Sequence, residues 1–387
     1  MQLTHAVQQL GTETAFKVLA KAKDLEAQGK DIVHLEIGQP DFPTPPNIVE
    51  AGKRAIDEGW TSYGPTCGQP DFRDLIAQHI STTRNIDVNG SQVVVTPGGK
   101  PVMFYTILSL VDPGDEVVYP DPGFPIYKSL IDYAGGKAVP LPLLEENDFS
   151  FDVEKLEQLV SDKTKLLILN SPQNPTGGVL GKNDLEKIAE LCVKHDVVIL
   201  TDEIYSELLY EDDFESITQF DGVLDRAVIL DGFSKSYSMT GWRLGYGIFP
   251  DWMVDSVERL MVNSNSCTAS FSQRAGIEAL NGPQDALAEM RGEFLKRRDF
   301  FIDGLNKIPG ISCRVPKGAF YAFANISELP LSSKELEGRL LAEAGVACLA
   351  GDGFGQQGEG FIRFSYANSI ENIAEALRRI EGFLSTL

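Results

Sequence analysis

Apolar residues along this chain gather into short, nearly continuous runs rather than strictly alternating ones. Such runs occupy 92–96, 116–119, 165–170, 197–201, 227–231 and 244–249. Each is rich in β-branched and other aliphatic residues and too short for a stable helix. Each therefore reads as a strand buried on both faces. Between most of them the apolar spacing changes to three and four, as over 183–194 and 252–262, which marks amphipathic helices. Strands alternating with helices predict the α/β class, with a large domain built on a mostly parallel sheet covered by helices. The pattern changes near residue 284. A long charged helix over about 283–307 leads into strand-like runs at 311–314 and 319–324. A helix over 332–344, strands at 346–349 and 361–366 and a last helix over 369–384 follow. That succession predicts a smaller α+β domain, on which the N-terminal segment to about Pro45 packs. The expected division is 46–283 for the large domain, and 1–45 with 284–387 for the small one.

Composition narrows the class without naming it. The chain has 387 residues, 43% hydrophobic and 23% charged, enough for a large core and two domains. Its net charge of -22 disfavours nonspecific binding to nucleic acid and to anionic membranes. The N-terminal stretch lacks the basic start and apolar run of a signal peptide, and no apolar stretch is long enough to span a bilayer. Cys67, Cys192, Cys267, Cys313 and Cys348 are scattered and odd in number, with no CxxC pair. Reduced thiols in a cytoplasm are expected, and neither they nor the four histidines have metal-site spacing.

Candidate chemistry concentrates between Asn170 and Arg243. Asn170-Ser-Pro-Gln-Asn-Pro-Thr-Gly177 follows one buried strand, and its prolines and glycine force an irregular turn at the strand's end. Asn174 there offers an amide. The next strand runs into Asp202-Glu-Ile-Tyr205, placing a partly desolvated carboxylate that needs a cation or donor. Glu203 would point away, because strand neighbours alternate. The third strand ends in Gly232-Phe-Ser-Lys235, with Gly241-Trp-Arg243 beyond. Successive strands thus deliver an amide, a carboxylate and a lysine to one sheet edge, where open α/β sheets bind ligands.

That set matches the needs of pyridoxal 5'-phosphate. A lysine amine forms an imine with its aldehyde, and a carboxylate keeps its ring nitrogen protonated. A tyrosine and an asparagine suit its ring oxygen, and a hydroxyl and Arg243 its phosphate. A second turn, Thr96-Pro-Gly-Gly-Lys100, opens a helix whose first amides form an anion site. Phe124, in Asp121-Pro-Gly-Phe-Pro-Ile-Tyr127, is available to stack on the ring. Read singly, each residue also has a plain structural role. Ser234-Lys235 is an ordinary loop pair, Asp202 a helix cap, Arg363 a salt-bridge partner, Phe124 a core residue and Lys100 a solvent-facing cap. The run Gly351-Asp-Gly-Phe-Gly355 lacks a following βαβ unit and reads as a turn.

From about residue 12 to its end the chain resembles the fold type I pyridoxal-phosphate aminotransferases of class I/II, near the aspartate aminotransferase branch. The motifs are Ile37-Gly-Gln-Pro-Asp41, Tyr63-Gly-Pro-Thr, Gly98-Gly-Lys100, Asn174-Pro-Thr-Gly177, Asp202-Glu-Ile-Tyr205, Ser234-Lys235, Met239-Thr-Gly-Trp-Arg243 and Phe361-Ile-Arg-Phe-Ser365. The resemblance implies that Lys235 holds the cofactor as a Schiff base and carries the proton. It implies Asp202 on the ring nitrogen, and Tyr205 and Asn174 on the ring oxygen. Arg243, Ser234 and the amides of Gly99 and Lys100 would hold the phosphate. Tyr63 would reach the phosphate of a neighbouring subunit, which implies a homodimer with shared sites. Arg363 would clamp the substrate α-carboxylate, assisted by Asn174 and the backbone of Gly38. In one branch the lysine matching Lys100 also contacts an acidic substrate side chain, which favours aspartate or glutamate as donor. Two positions depart from the pattern. Gly232 stands where many relatives carry a phosphate-contacting hydroxyl, and Leu349-Ala-Gly351 replaces a common Val-Pro-Gly. The same fold hosts C–S lyases, oxidases and racemases, so fold does not decide the reaction. A nonenzymatic ligand sensor is the remaining class, without a DNA-binding extension or basic patch to support it.

Overall fold

The computed structural model describes residues 3–211 and 213–387. Seven strands form one large sheet: β1 Val93–Thr96, β2 Glu116–Asp121, β3 Lys137–Pro142, β4 Thr164–Asn170, β5 Val198–Asp202, β6 Ala227–Gly232 and β7 Gly245–Ile248. Their order is β1-β7-β6-β5-β4-β2-β3. Strand β7 runs antiparallel to both neighbours, and the other pairings are parallel. The expected α/β fold with a mostly parallel sheet is therefore present.

Successive residues of the central strands enter different cores. Leu166, Ile168 and Leu200 pack with Met103, Ile107 and Val257 on one face. Leu167, Leu169 and Ile199 pack with Leu185, Ile188 and Cys192 on the other. Helices Lys100–Leu110 and Asp251–Ser264 cover the first face, and Lys182–Lys194 covers the second. Both sides of each strand are buried, which is why these runs carry so few polar positions.

Three features go beyond what the sequence pattern specifies. Strand β3 has no clean apolar run in the sequence, and Pro140 and Pro142 argue locally against a strand. The fold tolerates them because β3 is an edge strand paired only with β2. Strand β7 reverses direction because 233–244 contains no crossover helix, and a parallel return needs one. The expected strand at 346–349 is two: Val346–Ala347 pairs parallel with Val33–His34, and Leu349–Ala350 pairs antiparallel with Phe361–Ser365.

The C-terminal part is α+β. Tyr321–Asn325 lies between Phe361–Ser365 and Ser312–Cys313, all antiparallel. The Ser332–Glu335 capping box starts helix Ser333–Arg339, which widens into a π turn over Leu340–Ala344 and stops at Gly345 with φ 67°. Pairing of Val33–His34 with Val346–Ala347 ties the N-terminal segment to this part. Among the described residues no helix is long and apolar enough to cross a membrane.

Candidate active site

Strands β4, β5 and β6 end side by side. Asn170 is level with Asp202, and Asp202 with Leu230. A cavity of about 520 Å³ opens at this edge. Its walls also include the Gly99–Lys100 turn, residues 13–16, and Tyr321, Phe354 and Arg363 from the C-terminal part. Gly38, Gly99, Lys100, Phe124, Asn174, Asp202, Tyr205, Ser234, Lys235, Arg243 and Arg363 all line it. Tyr63 does not; it lies outside the lining and is 90% exposed.

Asp202 is buried at the floor. Its Oδ2 accepts from the Tyr127 hydroxyl at 2.6 Å and its Oδ1 from the Ile204 amide at 3.3 Å. Burial pushes the carboxyl up to about 6, against the pull of these donors. Lys235 Nζ donates to the Gly38 carbonyl at 2.5 Å. Burial, followed by the charge of Arg363, lowers this ammonium to about 8. The floor thus pairs a carboxyl that resists ionisation with an amine that gives up its proton easily.

Arg363 is fixed from several sides. Nη1 donates to Asn174 Oδ1 at 3.0 Å, and Nη2 to the Glu36 carbonyl at 2.5 Å. Its guanidinium lies 4.4 Å from the Tyr321 ring centroid and 5.0 Å from that of Phe354. Nε is buried with no hydrogen-bond partner among the described residues, an open donor on a cation that faces the cavity. The Tyr205 and Tyr321 hydroxyls are 2.7 Å apart beside it, and burial holds both well in their neutral form.

The Gly98–Gly99 side of the cavity is built from bare backbone. Helix Lys100–Leu110 begins at the Gly98–Gly99 turn, and first-turn amides have no acceptor within their helix. A Cβ on Gly98, whose φ is 85°, would lie 2.8 Å from Arg243 Cζ. Arg243 donates to the carbonyls of Thr240 and Pro97 at 2.9 and 3.2 Å, which aims its guanidinium along the turn. A Cβ at Gly232 would meet Gly245 Cα at 2.8 Å, so a hydroxyl residue has no room there. Ser234 is the hydroxyl that lines the cavity.

Lys100 sits differently from the free contact its motif implied. It is paired with Glu13 at the cavity mouth, half exposed, and 5.8 Å above the Phe124 ring. Tyr127, Tyr321 and Glu13 were not singled out from the sequence. Tyr127 had a usable signal, since it lies three residues past Phe124 at the start of a helix, on a related face. Glu13 had none, because its partner is 87 residues away. Glu203 faces away from the cavity, as alternation requires.

This donor set fits pyridoxal phosphate. A buried carboxyl would suit its ring nitrogen, a neutralisable lysine its aldehyde, and an arginine with a helix start its phosphate. A sheet edge so equipped defines a pyridoxal-phosphate enzyme. Its family follows from comparison with known proteins: residues 30–380 match aminotransferase class I and II, and the chain belongs to that family. It is 40% identical over 370 residues to aspartate aminotransferase of Pyrococcus abyssi, covering 95% of both. It is 39% identical over 370 residues to aromatic-amino-acid aminotransferase 2 of Thermococcus litoralis, again covering 95% of both. Its fold matches the Thermus thermophilus aspartate aminotransferase structure with maleate at TM-score 0.95 and 35% identity, over 99% of each chain. The protein is a pyridoxal-phosphate-dependent transaminase, and no finding favours the lyase alternative.

Proposed function

We propose that the protein moves the amino group of an acidic L-amino acid, aspartate or glutamate, to a 2-oxo acid, with Lys235 holding the cofactor and moving the proton. One observation carries the reading: Lys235, Asp202 and Arg363 face one cavity from three separate parts of the chain. Bound there, pyridoxal phosphate supplies an aldehyde for amines and a ring that withdraws electrons. Asp202 would hold a proton on the ring nitrogen, and Tyr205 with Asn174 would meet the ring oxygen. Gly99, Lys100, Ser234 and Arg243 would hold the phosphate, and Phe124 would cover the ring. Arg363, already oriented by Asn174 and the Glu36 carbonyl, would receive the α-carboxylate beside Gly38. The lowered proton affinity of Lys235 leaves Nζ able to accept and return a proton near neutral pH.

Lys100 at the mouth supports a dicarboxylate, as does the maleate named with the Thermus structure. One observation favours a second reading. Glu13 already pairs with Lys100, and Phe16, Ile37 and Phe354 line the same cavity, which suits apolar or aromatic side chains. A half-reaction screen separates the two. Each amino acid is mixed with the holoenzyme and conversion of the cofactor to its amino form is followed by absorbance. Aspartate and glutamate should react fastest, and Lys100→Ala should slow them more than phenylalanine. Faster phenylalanine with no selective effect of Lys100→Ala would establish the second reading instead. Borohydride should trap the cofactor on Lys235, and Lys235→Ala should abolish the trapped adduct. An adduct on another lysine would reject the assignment.

A homodimer with shared sites, completed by Tyr63 of each partner, belongs to the same proposal, and the exposure of Tyr63 supports it. So do a cytoplasmic location, and a small domain of 1–45 with 284–387 beside a large domain of 46–283.

A further inference from the structure

Beneath the cavity floor, on the far side of the same strand ends, lies a second buried group of charges. Arg84 ends helix Pro70–Arg84 and is 3% exposed. Its Nε donates to Glu203 Oε2 at 2.9 Å, and its Nη2 to Asp231 Oδ2 and Ser206 Oγ, each at 2.9 Å. The Phe214 ring lies 4.7 Å from its Cζ. Glu203 and Asp231 each sit beside a cavity residue, Asp202 on β5 and Leu230 on β6, and those two are register partners. Alternation sends Asp202 and Leu230 to the cavity and their neighbours to Arg84. One guanidinium therefore clamps two adjacent strand ends from behind. Those ends carry the carboxylate and, four residues past Asp231, the lysine of the site.

We propose that Arg84 is a positioning residue for the cofactor site: by bridging Glu203 and Asp231 it fixes the β5 and β6 ends and sets the charge felt by Asp202. The inference rests on the reading that Asp202 meets the ring nitrogen. The cluster holds two carboxyls and one cation in a dry place, where neighbours' charges act strongly. Burial raises Asp231 to about 7 while Arg84 opposes it. Burial is what chiefly raises Asp202, and the nearby charge of Glu203 adds to it. Tyr246, Tyr237, Glu207 and His79 also lie within electrostatic reach of this group. From the cavity side Asp202 faces Tyr127, Tyr205 and Lys235. Without Arg84 the uncompensated carboxylate of Glu203 would push Asp202 toward its protonated form. Without the charge of Glu203, Asp202 would ionise more easily.

The test is the affinity of the cofactor-free protein for pyridoxal phosphate, measured by absorbance titration between about pH 5 and about pH 8 around the range where such carboxyls titrate. Asp202→Asn identifies the part of the acid-side loss of affinity that belongs to Asp202. Arg84→Gln should move that loss upward, and Glu203→Gln downward, each by about one pH unit, the scale of a lost neighbouring charge. Arg84→Lys, which keeps the charge, should leave it near its native position. A purely structural clamp would lower the thermal midpoint in the variants without moving the loss in either direction, and that result overturns the inference. If Arg84→Gln does not fold, the downward shift in Glu203→Gln decides alone. If Asp202→Asn changes neither affinity nor its pH dependence, the Asp202 reading itself fails, and the inference with it.

Discussion

Among the described residues Tyr127 is the one side-chain donor to Asp202, and both are buried, Asp202 at the cavity floor. A hydrogen bond to a charged group of this kind is worth about 1.5–3 kcal/mol. Tyr127→Phe should therefore cost about tenfold or more in kcat/KM. The donor also opposes the effect of burial, so its loss raises Asp202 beyond about 6. The acid side of the kcat/KM profile should move to higher pH, and a pH–rate series on the variant checks it. An unmoved acid side would place the Tyr127 contact outside the chemistry. Asp202 was legible because a carboxylate at the end of an apolar strand demands a partner. That partner was not legible, because Tyr127 is 75 residues away and meets Asp202 only across the folded sheet. Lys100 shows the converse. Its motif was plain, but its pairing with Glu13 depends on how the N-terminal segment crosses the cavity mouth.

Among the elements, the short strand Val33–His34 bears the most on the site. It leads into Glu36, whose carbonyl holds Arg363, and Gly38, whose carbonyl holds Lys235. His34 Nδ1 meets Glu36 Oε1 at 2.8 Å, and Nε2 meets Glu26 Oε1 at 3.2 Å. The hydrogen bond to Glu36 is the main cause that lifts His34 from its ordinary 6.5 to about 9. A raised histidine contributes stability that is fully present below pH 6.5 and is lost as pH rises through about 9. His34→Gln should flatten that part of the stability–pH curve, as measured by thermal midpoints across the window. Equal slopes in both proteins would show that the His34 pairs do not anchor this segment. Strands β4, β5 and β6 could be read from their unbroken apolar runs. Strand β3 could not, because its prolines carry the wrong local signal and only its place at the sheet edge makes them harmless.

For the whole molecule the proposed assembly gives a sharp test. The chain mass is 42.4 kDa, and light scattering should return twice that value. If Tyr63 completes the partner's site, Tyr63→Ala and Lys235→Ala proteins should each be impaired when pure. Mixed dimers should recover activity, because one of their two sites then draws Lys235 and Tyr63 from unmutated copies. No recovery in mixed dimers, with both copies folded, would mean that each chain builds its site alone. Tyr63 shows how far a single chain goes: it is 90% exposed and lies outside the lining of its own cavity.

What the sequence by itself determined is the set of strand ends and the chemistry placed on them. Runs at β4, β5 and β6 must be buried strands, and the residues just past them must meet at one edge, because parallel strands end together. Asn174, Asp202 and Lys235 follow from that alone. Only the tertiary structure decided what those groups face. Arg363 reaches Asn174 from 189 residues away. Arg84 reaches Glu203 from 119 residues away, on the side of the sheet opposite the cavity. Local pattern records which face of a strand is buried, because side chains alternate along it. It holds no record of which distant side chain fills the space, since packing between elements sets that partner.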